Sequence, residues 1–303
     1  MQTKRKRPYR NQSVEYQIYK MTDIKKLENI ASQVRRDIVR MVNNVKSGHP
    51  GGSLGCADFF TAMYFEVMDY DRENFNMDGK NEDILILSNG HISPSLYSVL
   101  ARSGHFPVDE LSTFRFLNTR LQGHPATKEG LPGVRIASGS LGQGLSVANG
   151  IALSKRLNKD NHKVFCLMGD GEVEEGQIWE AAMYIGAHNI NNVIGVIDYN
   201  KKQIDGSTDD VLPLGDLKAK FESFGLEVWE MNGNNMGEVV DTMKKAKAIE
   251  GNPKPIFILM HTEMGMGVDY MMGTHEWHGV APNDEQTVIA LDQLEETLGD
   301  FKI

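Results

Sequence analysis

Apolar positions along this chain recur with two different periods, and the places where one gives way to the other divide it into elements. Leu27, Ile30, Val34, Ile38, Met41, Val42 and Val45 are spaced as one face of a helix, which predicts a helix over 25–46. The glycine-rich run Ser47-Gly48-His49-Pro50-Gly51-Gly52-Ser53 closes it, and Ser53 is placed to cap a second helix through about residue 67. The nearly continuous apolar run 83–88 suits a strand buried in a parallel sheet. It stops at Asn89-Gly90-His91, and a helix is expected from about Ser93. After helix 143–158, strand 163–168, helix 174–187 and strand 192–198 form a βαβ unit. Helix 216–223, strand 226–231, helix 236–248 and strand 255–261 continue the alternation, and a last amphipathic helix starts near Asp284. The pattern predicts a doubly wound, mostly parallel α/β sheet with helices on both faces. Residues 1–24 read as a polar arm and 25–303 as one domain.

Two of these strands end in residues with chemistry. Val164 to Met168 runs into Gly169-Asp170-Gly171-Glu172, and Val193 to Ile197 runs into Asp198-Tyr199-Asn200. In an open α/β sheet, strand ends at the carboxyl edge are where ligands sit. A carboxylate and an amide oxygen on that edge are hard donors suited to Mg²⁺ or Ca²⁺, and Mg²⁺ commonly bridges a few protein oxygens to a diphosphate. The glycines beside Asp170 leave room for such an anion to approach.

Composition narrows the classes. Thirty-two basic against 41 acidic residues gives a net charge of −9, which disfavours nonspecific nucleic-acid binding. Lys4-Arg5-Lys6-Arg7 is therefore read as a solvated terminus. No run of about 18 apolar residues and no apolar secretory core occur, so a membrane role is not expected. The two cysteines, Cys56 and Cys166, lie in apolar surroundings without metal spacing, which fits a reduced, cytoplasmic protein.

Several further motifs bring in a resemblance. Ser47-Gly48-His49-Pro50-Gly51, Leu87-Ser88-Asn89-Gly90-His91, Gly123-His124-Pro125, Gly139-Ser140-Leu141-Gly142-Gln143-Gly144, Ile204-Asp205-Gly206 and Trp277-His278-Gly279-Val280-Ala281-Pro282 accompany the Gly169-Asp170-Gly171 and Asn200 pair. In this order, and over roughly residues 25–290, they resemble the N-terminal, thiamine diphosphate-binding half of transketolase. The resemblance implies that Asp170 and Asn200 bind Mg²⁺ (or Ca²⁺ or Mn²⁺) through side-chain oxygens, with the backbone carbonyl of Lys202 as third ligand. It implies cofactor binding by His91, Gly139, Leu141, Gly169, Asp170, Gly171, Asn200 and His278. It also implies that His49 and His278 meet the donor's reacting oxygens, that His124 faces a donor hydroxyl, and that His91 lies toward the diphosphate. Imidazoles suit this work because they titrate near neutrality.

The same resemblance makes Glu175 an interface residue, with a charged helix face as the alternative, and makes Asp205 a brace for the site or for a histidine. Isolated His105, His162 and His188 are expected to be surface or packing residues. His261 and His275 are ambiguous, without the ligand spacing a zinc site with His278 would need. One departure stands out: Met264-Gly265-Met266-Gly267 replaces the Lys-Gly-Lys-Gly frequent in the family, which weakens the case for phosphate esters; alternatively these methionines pack under a loop or against a partner.

A full-length transketolase is about twice as long, and its second domain supplies the pyrimidine-binding side of the site. The expectation is a split enzyme in which this N-terminal subunit works with a C-terminal subunit, as an α₂β₂ heterotetramer. It would move a two-carbon ketol unit between sugars or sugar phosphates, as in the pentose phosphate pathway. The alternatives are a subunit of a 2-oxo-acid dehydrogenase E1 or a deoxyxylulose-phosphate synthase, or a non-catalytic orphan subunit.

Overall fold

A computed structural model describes residues 22–251 and 253–303. Most of the expected arm, with its basic run, lies outside the described residues. Asp23 caps the first helix, its side chain accepting from Lys26 N, and α1 runs Ile24–Asn44. Its apolar face is buried as the spacing requires, but so are Gln33, Arg35, Arg36 and Asp37. These polar groups are paired across the core. Asp37 takes the Arg102 guanidinium at 2.7 and 2.8 Å and the Ser98 hydroxyl at 2.7 Å, and Arg36 reaches Asp300 at 2.7 Å. The helix is thus wrapped by protein on nearly every side.

The second expected helix is broken. It starts earlier, as α2 (Pro50–Gly55), bends at Cys56 into α3 (Ala57–Ala62), and ends in a π turn, Met63–Val67. Pro50 rather than Ser53 sets the start, because its fixed φ suits the first helical position. The Ser53 hydroxyl donates back to His49 O at 2.6 Å instead of capping.

Strand β1 (Ile84–Leu87) leads through a 3₁₀ turn at Gly90–Ile92 into α4 (Ser93–Arg102). A long loop follows to α5 (Gln143–Leu157) and β2 (Val164–Gly169). The helix after β2 starts two residues later than expected, as α6 (Gly176–Ala187), behind a 3₁₀ turn at Gly171–Glu174. Strand β3 (Val193–Tyr199) is followed by a hairpin that the sequence pattern missed, β4 (Lys202–Gln203) with β5 (Gly206–Ser207). Then come α7 (Thr208–Val211), α8 (Leu217–Ser223), β6 (Glu227–Asn232), α9 (Met236–Ala248), β7 (Ile256–His261) and α10 (Asp284–Gln293). Asn283 and Gln286 form a reciprocal capping box that fixes the start of α10.

The main sheet is wholly parallel, in the order β1-β2-β3-β7-β6. Alternating side chains feed two cores. Leu85, Leu87, Phe165, Leu167, Ile194, Val196, Ile256 and Ile258 join α1, α3, α4 and α9 on one face. Ile84, Ile86, Val164, Cys166, Val193, Ile197, Phe257 and Leu259 join α5, α6 and α8 on the other. Helices therefore cover both faces, as the strand pattern implied. Each large side chain buried here contributes roughly 1.5–3 kcal/mol, so truncating one, as in Ile38→Ala, costs about 2–5 kcal/mol. Parallel strands all end on one edge, and that edge carries the site.

Candidate active site

A cavity of ≈ 270 Å³ opens at the carboxyl edge of the sheet. It collects all of the residues named for the site: His49, His91, His124, Gly139, Leu141, Gly169, Asp170, Gly171, Asn200, Lys202 and His278. They come from separate stretches of chain: His49 begins α2, His91 follows β1, Gly139 and Leu141 precede α5, Asp170 follows β2, and Asn200 follows β3. The parallel register brings these ends together, since Gly169 pairs directly with Asp198.

The floor is acidic. Asp170 is buried, and its carboxylate accepts from Gly171 N at 2.8 Å and from Lys201 N. Asp198 is buried beneath it; one oxygen accepts from the Asn200 side-chain amide at 3.0 Å and the other from the Thr262 hydroxyl. Burial, with the neighbouring Asp198 charge, pushes Asp170 up to about 8. Burial also raises Asp198 and Glu172. Among the described residues none of the three carboxylates makes an ion pair. Buried carboxyl groups whose ionisation is opposed by burial, without a cationic partner and with hard oxygens at the cavity surface, fit a divalent cation, whose charge would favour their ionised form.

The walls have room for an anion beside that cation. A Cβ on Gly169 would meet no protein atom closer than 3.8 Å, so packing within this chain does not demand a glycine there. Gly139, at φ +129°, does need its freedom: a Cβ there would lie 2.9 Å from the His124 ring, which packs over it.

The four loop histidines form one cluster. The His49 ring centroid lies 5.1 Å from His91, 5.8 Å from His278 and 6.3 Å from His124, and His91 lies 5.1 Å from His278. Burial, then the charges of neighbouring rings and of Arg115, pushes His49 down to about 4; burial, then the neighbouring rings, holds His91 well below its ordinary value. His124 and His278 are lowered too, chiefly by burial. All four are neutral at pH 7 and so offer one donor and one acceptor each. The Nδ1 atoms of His49 and His278 and the Oδ1 of Asn89 are buried without a hydrogen-bond partner among the described residues. Unsatisfied polar atoms around a cavity are what a polar ligand would engage.

Other assignments divide. His105 stacks on Tyr70, His162 pairs with Asp160 at 2.7 Å, and His188 lies against Tyr184, so these three pack away from the cavity. His261 pairs with Glu230 at 2.9 Å. Asp205 is exposed in the β4–β5 turn, next to the cavity-lining Ile204, and among the described residues it makes no hydrogen bond to a histidine or another site residue. Met264 is fully buried, lines the cavity and packs against Gly51, where a Cβ would meet its side chain at 2.7 Å. Sequence reasoning missed Asn89, Glu172 and Asp198 as cavity-lining residues. Their signal was available: Asn89 and Asp198 stand at the ends of expected strands, and Glu172 directly follows the Gly169-Asp170-Gly171 turn.

A parallel α/β sheet with this cavity defines a diphosphate-cofactor domain. Residues 26–299 match the family described as transketolase, thiamine diphosphate binding domain, and the chain belongs to that family. It is 36% identical over 271 residues to an apulose-4-phosphate transketolase subunit from Actinobacillus succinogenes, covering 89% of this chain and 96% of that one. It is also 36% identical over 269 residues to a 6-deoxy-6-sulfo-D-fructose transketolase subunit from Clostridium sp., covering 89% and 96%. Among solved structures, the transketolase of Campylobacter jejuni superposes with a TM-score of 0.84 at 32% identity, covering 93% of this chain but 45% of that one. The chain thus spans less than half the length of that solved transketolase.

Proposed function

We propose that this chain is the N-terminal subunit of a split, thiamine diphosphate-dependent transketolase, with residues 25–303 as its diphosphate-binding domain. The observation that carries the reading is the convergence of eleven site residues, drawn from separate loops, on one cavity. Relatives named as transketolase subunits, almost the whole of whose length this chain matches, support it. Asp170, Asn200 and the Lys202 carbonyl would hold Mg²⁺, and Gly169, Gly171, His91, Gly139, Leu141 and His278 would hold the cofactor. When bound, thiamine diphosphate supplies a carbon nucleophile able to carry a two-carbon ketol unit from a ketose to an aldose.

The chain's own part is binding, orientation and proton handling. His49 and His278, neutral and with Nδ1 atoms that have no partner among the described residues, hold or move protons at the donor's carbonyl and hydroxyl oxygens. His124, over Gly139 and exposed, meets a donor hydroxyl. The buried floor keeps water from the reacting atoms. The other face of the cofactor is left to a C-terminal partner carrying the pyrimidine-binding domain, in an α₂β₂ assembly in the cytoplasm. Relatives act on apulose 4-phosphate and 6-deoxy-6-sulfo-D-fructose by name, and the substrate here is taken to be a ketose, phosphorylated or free. Assaying ketol transfer with the purified chain alone, then with a pyrimidine-domain partner, tests the reading. Activity is expected only with both, and robust transfer by the chain alone overturns the split site.

A further inference from the structure

We propose that Glu172 is a positioning residue of the cofactor site, a single buried carboxylate that fixes three ligand-facing loops against one another. The proposal rests on the thiamine diphosphate reading above. Glu172 follows the Gly169-Asp170-Gly171 turn and is only 2% exposed. Its Oε1 accepts from Gly142 N at 2.7 Å and from the Ser88 hydroxyl, and its Oε2 accepts from Gly169 N at 3.1 Å. Ser88 Oγ in turn accepts from Gly144 N at 3.0 Å, so its proton is committed to Glu172.

Each of these partners stands at the root of a different loop. Ser88 follows β1 and leads to Asn89 and His91; Gly142 and Gly144 close the loop that carries Gly139 and Leu141; Gly169 leads into Asp170. The junction has no slack, because a Cβ on Gly144 would lie 2.8 Å from Ser88 Cα. Gly142 is also the N-cap of α5, at φ +84° and without a side-chain cap of its own. The Glu172 carboxylate supplies the missing acceptor, with a charge of the sign that a helix N-terminus favours.

The chemistry requires a carboxylate. Three donors converge on it, two amides and one hydroxyl, and they occupy both oxygens. A glutamine has the same shape but one oxygen, so its NH₂ would face a donor wherever the amide turned. One contact would be lost and a buried donor left unpaired, which loosens a loop without emptying the core.

The test is calorimetric titration of Glu172→Gln with thiamine diphosphate at fixed Mg²⁺, in the chain assembled with its pyrimidine-domain partner. Glu180→Gln, on the exposed side of α6, is the control. Affinity is expected to fall at least ~10-fold in Glu172→Gln, in keeping with losses at supporting residues, and to hold in the control. Hydrogen exchange should quicken in residues 139–145 and 166–169, while β3 and β7 keep their protection. Ser88→Ala, which removes one donor of the three, should show a smaller loss in the same direction. If Glu172→Gln fails to fold, Ser88→Ala carries the test. Wild-type affinity, or unchanged exchange in both loops, in the variant that carries the test overturns the proposal. Failure of the wild-type assembly to bind the cofactor counts instead against the functional reading on which it rests.

Discussion

Asn200 donates its side-chain amide to Asp198 Oδ2 at 3.0 Å, and this bond decides which end of the amide is left as an oxygen donor. The Oδ1 end accepts from Lys202 N at 2.9 Å and faces the same side as the Lys202 backbone. Asp198, itself held by Thr262, therefore orients a proposed metal ligand without being one. Asp198→Ala frees the amide to turn, and the Mg²⁺ concentration needed for half-maximal cofactor binding should rise about 10-fold or more. Fluorescence titration with Mg²⁺ at saturating thiamine diphosphate reads it; an unchanged Mg²⁺ requirement would falsify the assignment.

Asp170→Ala removes the one charged protein ligand proposed for the metal. Metal-dependent cofactor binding should weaken by at least ~10-fold, as expected for a charge-assisted contact worth roughly 1.5–3 kcal/mol. Without cofactor, the variant should be no less stable than wild type near pH 7, because the carboxyl it removes is buried beside Asp198 with its pKa pushed up to about 8. Calorimetry for binding and urea unfolding for stability check the two halves separately. Equal cofactor affinity in variant and wild type sinks the metal assignment.

His49→Ala should separate from Asp170→Ala. Its ring lies amid the histidine cluster, with Nδ1 unpartnered among the described residues, and its proposed partner is the donor sugar. Cofactor affinity should stay near wild type while transfer slows about 10²-fold, the range for losing a positioned proton donor or acceptor. Pre-steady-state transfer measured at saturating cofactor distinguishes the two. A variant that fails to bind cofactor but transfers normally once loaded would reverse the assignment.

His105 gives the fold a pH dependence independent of the site. Its Nδ1 lies 3.0 Å from the Ser103 hydroxyl, and its ring stacks on Tyr70 with Tyr64 at its edge. Burial, aided by the charges of Arg135 and Arg72, pushes it from 6.5 to about 4. The unfolded chain therefore binds a proton that the folded chain refuses between these values. The stabilising contribution is complete above about pH 6.5 and is lost as pH falls toward 4. Asp170, pushed up to about 8, contributes with the opposite sign across this window, so the readout is a difference: as pH falls from 6.5 toward 4, the urea midpoint of wild type should fall relative to that of His105→Gln. His49 titrates in the same window with the sign of His105, and it too cancels in that difference.

Apolar spacing in the sequence determined the strands, since each of the five read from it is a strand of the parallel sheet within a residue or so at either end. A buried parallel strand leaves a nearly uninterrupted apolar run whose end is marked by the first polar residue, and that signal is local. The motifs were local too, and so His49, His91, His124, Asp170, Asn200 and His278 were legible one by one. Their meeting was not, because it depends on strand order and register, such as Gly169 lying opposite Asp198. Tertiary structure also decided which polar residues are buried. Asp37 became a core carboxylate only because Arg102 and Ser98 of α4 reach it, and Glu172 became a junction only because Ser88, Gly142 and Gly169 arrive around it. A charged side chain reads as solvent-exposed in sequence, since burying it is costly. Only the arrival of distant donors offsets that cost, and distant donors are what a linear pattern does not contain.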